Sequence, residues 1–392
     1  MKGFTASIVR RSGSYAVVIN LRRDPTTGKR RQEWHSGYRT RNEAEKARTK
    51  KLHDLNSGSY VAEHDQTLAE YMAEWLDASA RRVRPSTLDS YRSYVARHIT
   101  GKPIGQVRLQ GLGPADLNSL YGVLMATGRA NGKGGLSARS VRYLHAIIRR
   151  ALQDAVRWGK LSRNVATLAD PPSARQARPP EMKVWTGEQL AAFLDATGDD
   201  RLHALWLLAA TTGARRGELA GARWADLDLD TGRWSIRRTL VNVGGKLAWS
   251  TPKTDSGKRQ VMLDSHTVAE LRQHKARQGV ERALMGDGYE DNDLAFAWPD
   301  GRPIDPNWIT ARFRTLVDAT NLPGIRLHDL RHTHASIGLQ LGIHPAVMAD
   351  RLGHADPALT LRVYSHLLPT VSETAAALVA NHVLGASGAA AR

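Results

Sequence analysis

The chain has 392 residues and no cysteine, with 56 lysines and arginines against 38 acidic residues, a formal charge of +18. The length exceeds one small module, the missing cysteines exclude disulfide frameworks, thiolate zinc sites and thiol nucleophiles, and the charge points to a polyanionic partner. No run approaches the ~18 apolar residues of a membrane span, and the start MKGFTASIVR lacks the apolar stretch of a signal peptide, so the expectation is a cytoplasmic protein without a membrane partner.

Residues 1–63 carry 14 basic and 6 acidic side chains, residues 64–178 carry 18 and 8, and residues 179–392 carry 24 and 24. All the excess charge therefore precedes residue 179, which suits two nucleic-acid-gripping segments followed by a neutral one.

In the first segment ASIVRR, SYAVVINLRR and KRRQEWHS alternate as three short antiparallel strands, with turn signals at Ser12-Gly13 and across Pro25 to Gly28. Thr40 and Glu43 then form a T-x-x-E capping box that opens a polar helix to about Asn56. A second box, Thr67 to Glu70, opens the next segment and puts Leu68, Tyr71, Met72, Trp75 and Leu76 on one helical face, a core pattern rather than a base-stacking platform. Helices are expected near Ser86–Ile99, Pro114–Ala126 and Ser137–Trp158, the last burying Val141, Leu144, Ile148, Leu152 and Ala155. That helix also carries Arg139, Arg142, Arg149 and Arg150, the candidate DNA-binding residues of a four-helix domain. The stretch Ala169 to Glu181, with four of the sixteen prolines, is expected as a stiff, extended linker.

Beyond it, helices near Gly187–Thr197 and Leu202–Thr211 lead into TTGARRGELAGARWADLDLD, then strand-like WSIRRTLV, KLAWS and RQVML, then further helices over LHDLRHTHASIGLQLG, HPAVMADRLGH and ALTLRVYSHL. His328 and His332 stand at i, i+4, but no H-E-x-x-H accompanies them, so a metal site is not expected. Arg215, Lys253, His328, Arg331, His354 and Tyr364 supply two guanidiniums, an ammonium, two imidazoles and a phenol. That inventory suits a phosphodiester: arginines grip nonbridging oxygens and stabilise a pentacoordinate transition state without a metal, Lys or His moves protons, and Tyr attacks once activated. Arg216 competes with Arg215 for its place, and Lys258 or Arg259 with Lys253. Tyr289, in the acidic loop GDGYED, has no phosphate-binding company.

Four motifs in order, TGARRGEL, TPKTDSGKRQVML, LHDLRHTHAS and LGHADPALTLRVYSH, resemble the arginine, lysine-hairpin, H-x-x-R and LGH-to-tyrosine boxes of the tyrosine recombinase (phage integrase) family. The resemblance covers most of residues 179–370. It implies Arg215 and Arg331 as phosphate clamps, Glu218 as a supporting group, and Lys253 as general acid for the leaving 5′-oxygen. His328 would orient or accept the nucleophile's proton, His354 would bond the scissile phosphate, and Tyr364 would be the nucleophile that forms a 3′-phosphotyrosyl link, with no cofactor and no metal. The Arg215-Arg216 pair departs from the family's usual uncharged residue after the first arginine.

Residues 1–63 also resemble the family's arm-type DNA-binding domain and residues 64–178 its helical core-binding domain, which favours a mobile-element integrase over a two-domain chromosome-dimer resolvase. The implied architecture is a small α+β N-terminal domain, an all-α core-binding domain, and a mainly α catalytic domain over residues 179–392 with a small β-sheet. The implied partners are double-stranded DNA attachment sites, three further copies in a tetramer, and a directionality factor or DNA-bending host protein. An inert DNA-binding regulator and a type IB topoisomerase-like strand transferase are the alternatives, the first disfavoured by six competent side chains at the six catalytic positions.

Overall fold

β1 (Thr5–Arg11) and β2 (Ser14–Asn20) are joined by a two-residue turn in which Ser12 and Gly13 both have positive φ, 49° and 80°. That geometry matches the twist of the paired strands, which run antiparallel from Thr5↔Asn20 to Arg11↔Ser14. The computed structural model describes residues 4–21, 28–29, 32–57, 60–129, 132–178, 181–251 and 258–353, with residues 380 and 383, and the expected turn across Pro25 to Gly28 falls largely outside them. β3 (Gln32–Tyr38) pairs with β2, and α1 (Arg41–Asn56) buries Ala44 and Leu55 against Val17 and Ile19. Its capping box closes both ways: Glu43 N–H donates to Thr40 Oγ1 at 3.2 Å, and Thr40 N–H to Glu43 Oε2 at 3.4 Å.

The helical segment contains α2 (Leu68–Ser79), α3 (Pro85–His98), the one-turn α4 (Pro103–Gln106), α5 (Pro114–Thr127) and α6 (Ala138–Arg157). α2 turns Tyr71, Met72 and Trp75 wholly inward, so its aromatics are core. Two of them keep polar partners there: Tyr71 Oη donates to Ala151 O at 2.5 Å and Trp75 Nε1 to Asp154 Oδ2 at 2.8 Å. Asp154 shares the buried face of α6 with Val141, Leu144, Ile148, Leu152 and Ala155, and Arg82 and Arg157 neutralise it from the rim. Val141, Leu144, Ile148 and Leu152 each contribute about 1.5–3 kcal/mol, an upper estimate because the unfolded chain is not fully exposed.

The proline-rich stretch departs from the extended linker its composition suggests. Pro172 is buried, Arg142 Nη1 donates to its carbonyl at 2.7 Å, and the chain then turns rather than extends. Ser173 N–H donates to Gln176 Oε1 at 2.8 Å, Gln176 N–H to Ser173 Oγ at 3.2 Å, and Ala177 N–H to Ser173 O at 3.1 Å. A serine offering its hydroxyl three residues on nucleates a turn whatever the proline density around it. Two compact units divide immediately afterwards, Met1–Pro179 and Pro180–Arg392.

The second unit begins with α7 (Gly187–Ala196), α8 (His203–Thr212) and the short α9 (Arg216–Ala220). Trp185, Phe193, Trp206 and Phe313 pack ring against ring at its centre, with centroids 5.2–5.8 Å apart along the chain of contacts. Two small antiparallel β elements follow in place of one sheet. β4 (Leu227–Asp228), β5 (Arg233–Ile236) and β8 (Arg259–Met262) form a three-stranded sheet, while β6 (Thr239–Val243) and β7 (Lys246–Ser250) form a separate hairpin. WSIRRTLV is thus two strands. Trp234, Ile236 and Leu240 point inward at a period of two, and Arg238 falls on the same parity but is exposed, so the strand must end before it. α10 (Ser265–Met285), α11 (Pro306–Asp318), α12 (Leu327–Gln340) and α13 (Pro345–Leu352) complete the described unit. The helix expected over ALTLRVYSHL lies outside the described residues, among which no helix is long and apolar enough to cross a membrane.

Candidate active site

α8 ends on Gly213, whose φ of +61° reverses the chain tightly. A side chain there would also collide, since a Cβ would lie 2.7 Å from Leu352 Cδ2. Two residues later Arg215 caps α9, and Glu218 at the third helical position accepts its backbone N–H at 2.9 Å. The same carboxylate accepts Arg215 Nη1 at 2.9 Å and a fork from Arg259 of β8, Nη1 at 3.1 Å and Nη2 at 3.0 Å. Glu218 is 1% exposed, so its burial is offset by two guanidiniums and one amide. Burial alone pushes its pKa up, but Arg259 beside it, then the Arg215 amide and charge, outweigh that and hold the carboxyl below its ordinary value.

Arg331 on α12 is buried and donates Nη1 to Gly213 O at 2.8 Å and Nη2 to Leu352 O at 2.7 Å. Arg215 Nη2 reaches the next carbonyl, Gly353 O, at 3.0 Å, and Arg259 Nε reaches Arg351 O at 2.7 Å. Three guanidiniums from α9, β8 and α12 therefore converge on three consecutive carbonyls, 351 to 353, where α13 ends on Gly353 in the left-handed conformation. Helix-end carbonyls carry partial negative charge and therefore suit guanidinium donors. Such a cluster is suited to phosphate oxygens.

Residues 183–370 match the phage integrase family, and residues 7–54 match an arm DNA-binding domain. The chain carries a phage integrase family domain at 183–370. It is 25% identical to a tyrosine recombinase XerC-like protein of Caldanaerobacter subterraneus subsp. tengcongensis, over 91% of this chain and 93% of that one. It is 28% identical to an integrase of Streptomyces ambofaciens, over 93% and 92%. Among solved structures it shares the fold of the Tn1549 transposon integrase in complex with circular intermediate DNA, at a TM-score of 0.62, 18% identity, and coverage of 80% of this chain and 99% of that one. It also shares the fold of a lambda integrase tetramer bound to a Holliday junction, at a TM-score of 0.52, 17% identity, and coverage of 89% and 96%.

Within this integrase domain the rival residues separate. Arg216 points away from the cluster and gives Nη1 to Asn307 Oδ1 at 3.1 Å and Thr310 Oγ1 at 3.0 Å on α11, so Arg215 is the member of the pair that joins Glu218 and Arg331. Arg259, a rival for the lysine's place, is committed to Glu218, while Lys258 is exposed beside it. Lys253, His354 and Tyr364 lie outside the described residues.

The three histidines of α12 serve different surroundings. His328 and His332 pack edge to face, ring centroids 5.1 Å apart. The protein around His328, then His332 and Arg331, push its pKa down to about 4, so its imidazole is neutral at neutral pH and able to accept a proton. His334 faces elsewhere, with Nδ1 3.1 Å from Ala210 O and Nε2 accepting from Arg351 Nε at 3.3 Å. Arg351 in turn donates to Thr211 O at 2.9 Å and Met262 O at 3.0 Å, which ties α13 to α8 and β8.

Arg351 and the carbonyls of residues 351 to 353 are parts of this cluster that the motifs alone did not single out, and Arg259 enters it as a partner of Glu218 rather than in the lysine's place. Arg259 left a signal: in RQVML it shares parity with Val261 and Leu263, the inward side of the strand. Of the α6 arginines, Arg142, Arg149 and Arg150 line one open groove of about 680 Å³ together with Arg157, whereas Arg139, exposed one turn earlier, is not among its lining.

Proposed function

We propose that this integrase cleaves and rejoins DNA at attachment sites through a 3′-phosphotyrosyl intermediate, integrating or excising a mobile element within a tetramer on two sites. The convergence of Arg215, Arg259 and Arg331 on the turn that immediately precedes His354 carries the reading. In it, Arg215 and Arg331 exchange the carbonyls for nonbridging phosphate oxygens, and Glu218 keeps Arg215 in place. His354 adds a hydrogen bond to the same phosphate. The Tyr364 oxygen attacks phosphorus, its proton passing to neutral His328, while the P–O5′ bond breaks and Lys253 protonates the departing oxygen. One phosphoester replaces another, so bond energy is conserved and the reverse attack by a 5′-hydroxyl rejoins the strand without ATP or a metal. The lambda integrase tetramer on a Holliday junction supports the proposed assembly, in which two strand pairs exchange in turn.

DNA holding is assigned to the first unit, with residues 1–63 on arm sites and residues 64–178, through Arg139, Arg142, Arg149 and Arg150, on the core site. A directionality factor or DNA-bending host protein completes the proposed complex, and the setting is cytoplasmic. Deleting residues 1–63 removes +8 of charge, counted as 14 basic less 6 acidic residues. Core-site cleavage should survive the deletion while integration fails, and equal integration by the truncated and full chains would contradict the assignment.

Lys253→Ala should bind DNA normally and cleave about 10²–10⁴-fold more slowly, the usual contribution of a general acid. A substrate with a 5′-bridging sulfur loses a thiolate, which leaves without a proton, so the variant should recover on it. Arg215→Ala should not recover, because its loss is at the nonbridging oxygens. An unrescued Lys253→Ala would make that residue a phosphate contact or a structural lysine.

A further inference from the structure

The β6–β7 hairpin rests on α9 at two glycines one turn apart. A Cβ on Gly217 would lie 2.9 Å from Leu240 O, and a Cβ on Gly221 2.9 Å from Leu240 N and 3.2 Å from Thr239 C. Both approaches are backbone against backbone, so no side chain can swing aside to admit a methyl group. Leu240 itself is buried, 2% exposed, in the core of the unit. Two further ties lie outside this seat: Asn242 Nδ2 donates to Asp305 Oδ2 at 2.6 Å, and the Arg223 guanidinium lies 4.7 Å from the centre of the Trp249 ring. At the open end of the hairpin Thr239 Oγ1 donates to Ser250 O at 3.1 Å, three residues before Lys253. On the other side of the lysine segment, β8 returns to the same helix through the fork of Arg259 on Glu218.

α9 is thus the common anchor for Arg215 at its N-terminus, for β6, which carries β7 as its hairpin partner, and for β8. We infer that Gly217 and Gly221 are positioning residues, whose lack of side chains sets how closely the strands on either side of the lysine segment approach the helix that carries the arginine clamp. The inference rests on the assignment of Lys253 as the acid. A helix with alanine at either position pushes β6 outward and moves the flanks of the lysine segment relative to Arg215. A displacement of about 1 Å in a catalytic group costs on the order of 10²-fold in rate.

The test is single-turnover cleavage by the full chain on matched suicide substrates with 5′-bridging oxygen or sulfur, using Gly221→Ala, Asn242→Ala and Lys253→Ala. Gly221→Ala should bind DNA as the unaltered protein does, cleave the oxygen substrate roughly 10–10²-fold more slowly, and return to within about threefold of the unaltered rate on sulfur. Asn242→Ala loosens the same hairpin from its far side without crowding the seat, and should show a smaller defect with the same sulfur rescue. It decides the matter if Gly221→Ala does not fold. Rescue of Lys253→Ala without rescue of the hairpin variants would overturn the inference alone, since the glycines would then serve the clamp or the fold rather than the acid. Unchanged cleavage of oxygen by both hairpin variants would overturn it too. Failure of sulfur to rescue Lys253→Ala would remove the general-acid assignment, and the inference with it.

Discussion

Tyr364→Phe is expected to abolish covalent protein–DNA adducts on a nicked suicide substrate while leaving DNA affinity unchanged. The substitution removes one oxygen and keeps the aromatic volume, so DNA binding should survive and only the proposed nucleophile is lost. The effect should be the largest of any single substitution, because no neighbouring cation or base compensates for an absent attacking atom. Adduct formed by the Phe variant at the same phosphate would show that another residue attacks.

Glu218→Gln should carry the largest loss of stability. The carboxylate is the shared counter-charge of Arg215 and Arg259, the latter with a side chain only 3% exposed. A neutral amide leaves two guanidiniums facing each other across a buried site, and removing one partner of a buried pair costs about 3–5 kcal/mol. For a unit of this size that lowers the melting temperature by roughly 10 °C. Cleavage should fall as well, since Arg215 loses the group that orients it. Because the folded-state pKa of Glu218 is depressed, its stabilisation is complete above the unfolded value near ~4.3 and is lost as pH falls through the folded value. The stability gap between the two proteins should therefore be constant near neutrality and close only in strong acid, as measured by thermal unfolding across pH. A gap that closes between pH 7 and pH 5 would assign it to another group.

Much of this arrangement is legible in the sequence where the determining contacts are local. The T-x-x-E boxes at Thr40 and Thr67 close as their spacing requires, and the apolar positions of α6 and α2 fall on the faces their periodicity marks, because a helix start or face is fixed within a few residues. The break after Ile236 was written in Arg238, a charge on the inward parity of a strand, but composition across WSIRRTLV is strand-like throughout and masks it. The turn after Pro172 depends on a single exchange between Ser173 and Gln176, a contact that proline density conceals. For the arginine cluster, the motifs supply Arg215, Glu218 and Arg331 but give no hint that three arginines share consecutive carbonyls from residues 351 to 353. That geometry is long-range, joining α9, β8, α12 and the end of α13 across more than a hundred residues of chain. The separation of Arg215 from Arg216 has the same origin, since it takes Asn307 and Thr310 of α11 to show where Arg216 goes.

The DNA-linked peptide identifies the attacking residue. The full chain would be trapped on a suicide substrate whose 3′ end becomes covalently attached, digested, and the nucleotide-bearing peptide sequenced by mass spectrometry. A single modified residue is expected, Tyr364, joined through its phenolic oxygen to a 3′-phosphate, with a free 5′-hydroxyl on the released strand. A nucleotide attached to any other residue, Tyr289 included, or a link through a 5′-phosphate, would contradict it.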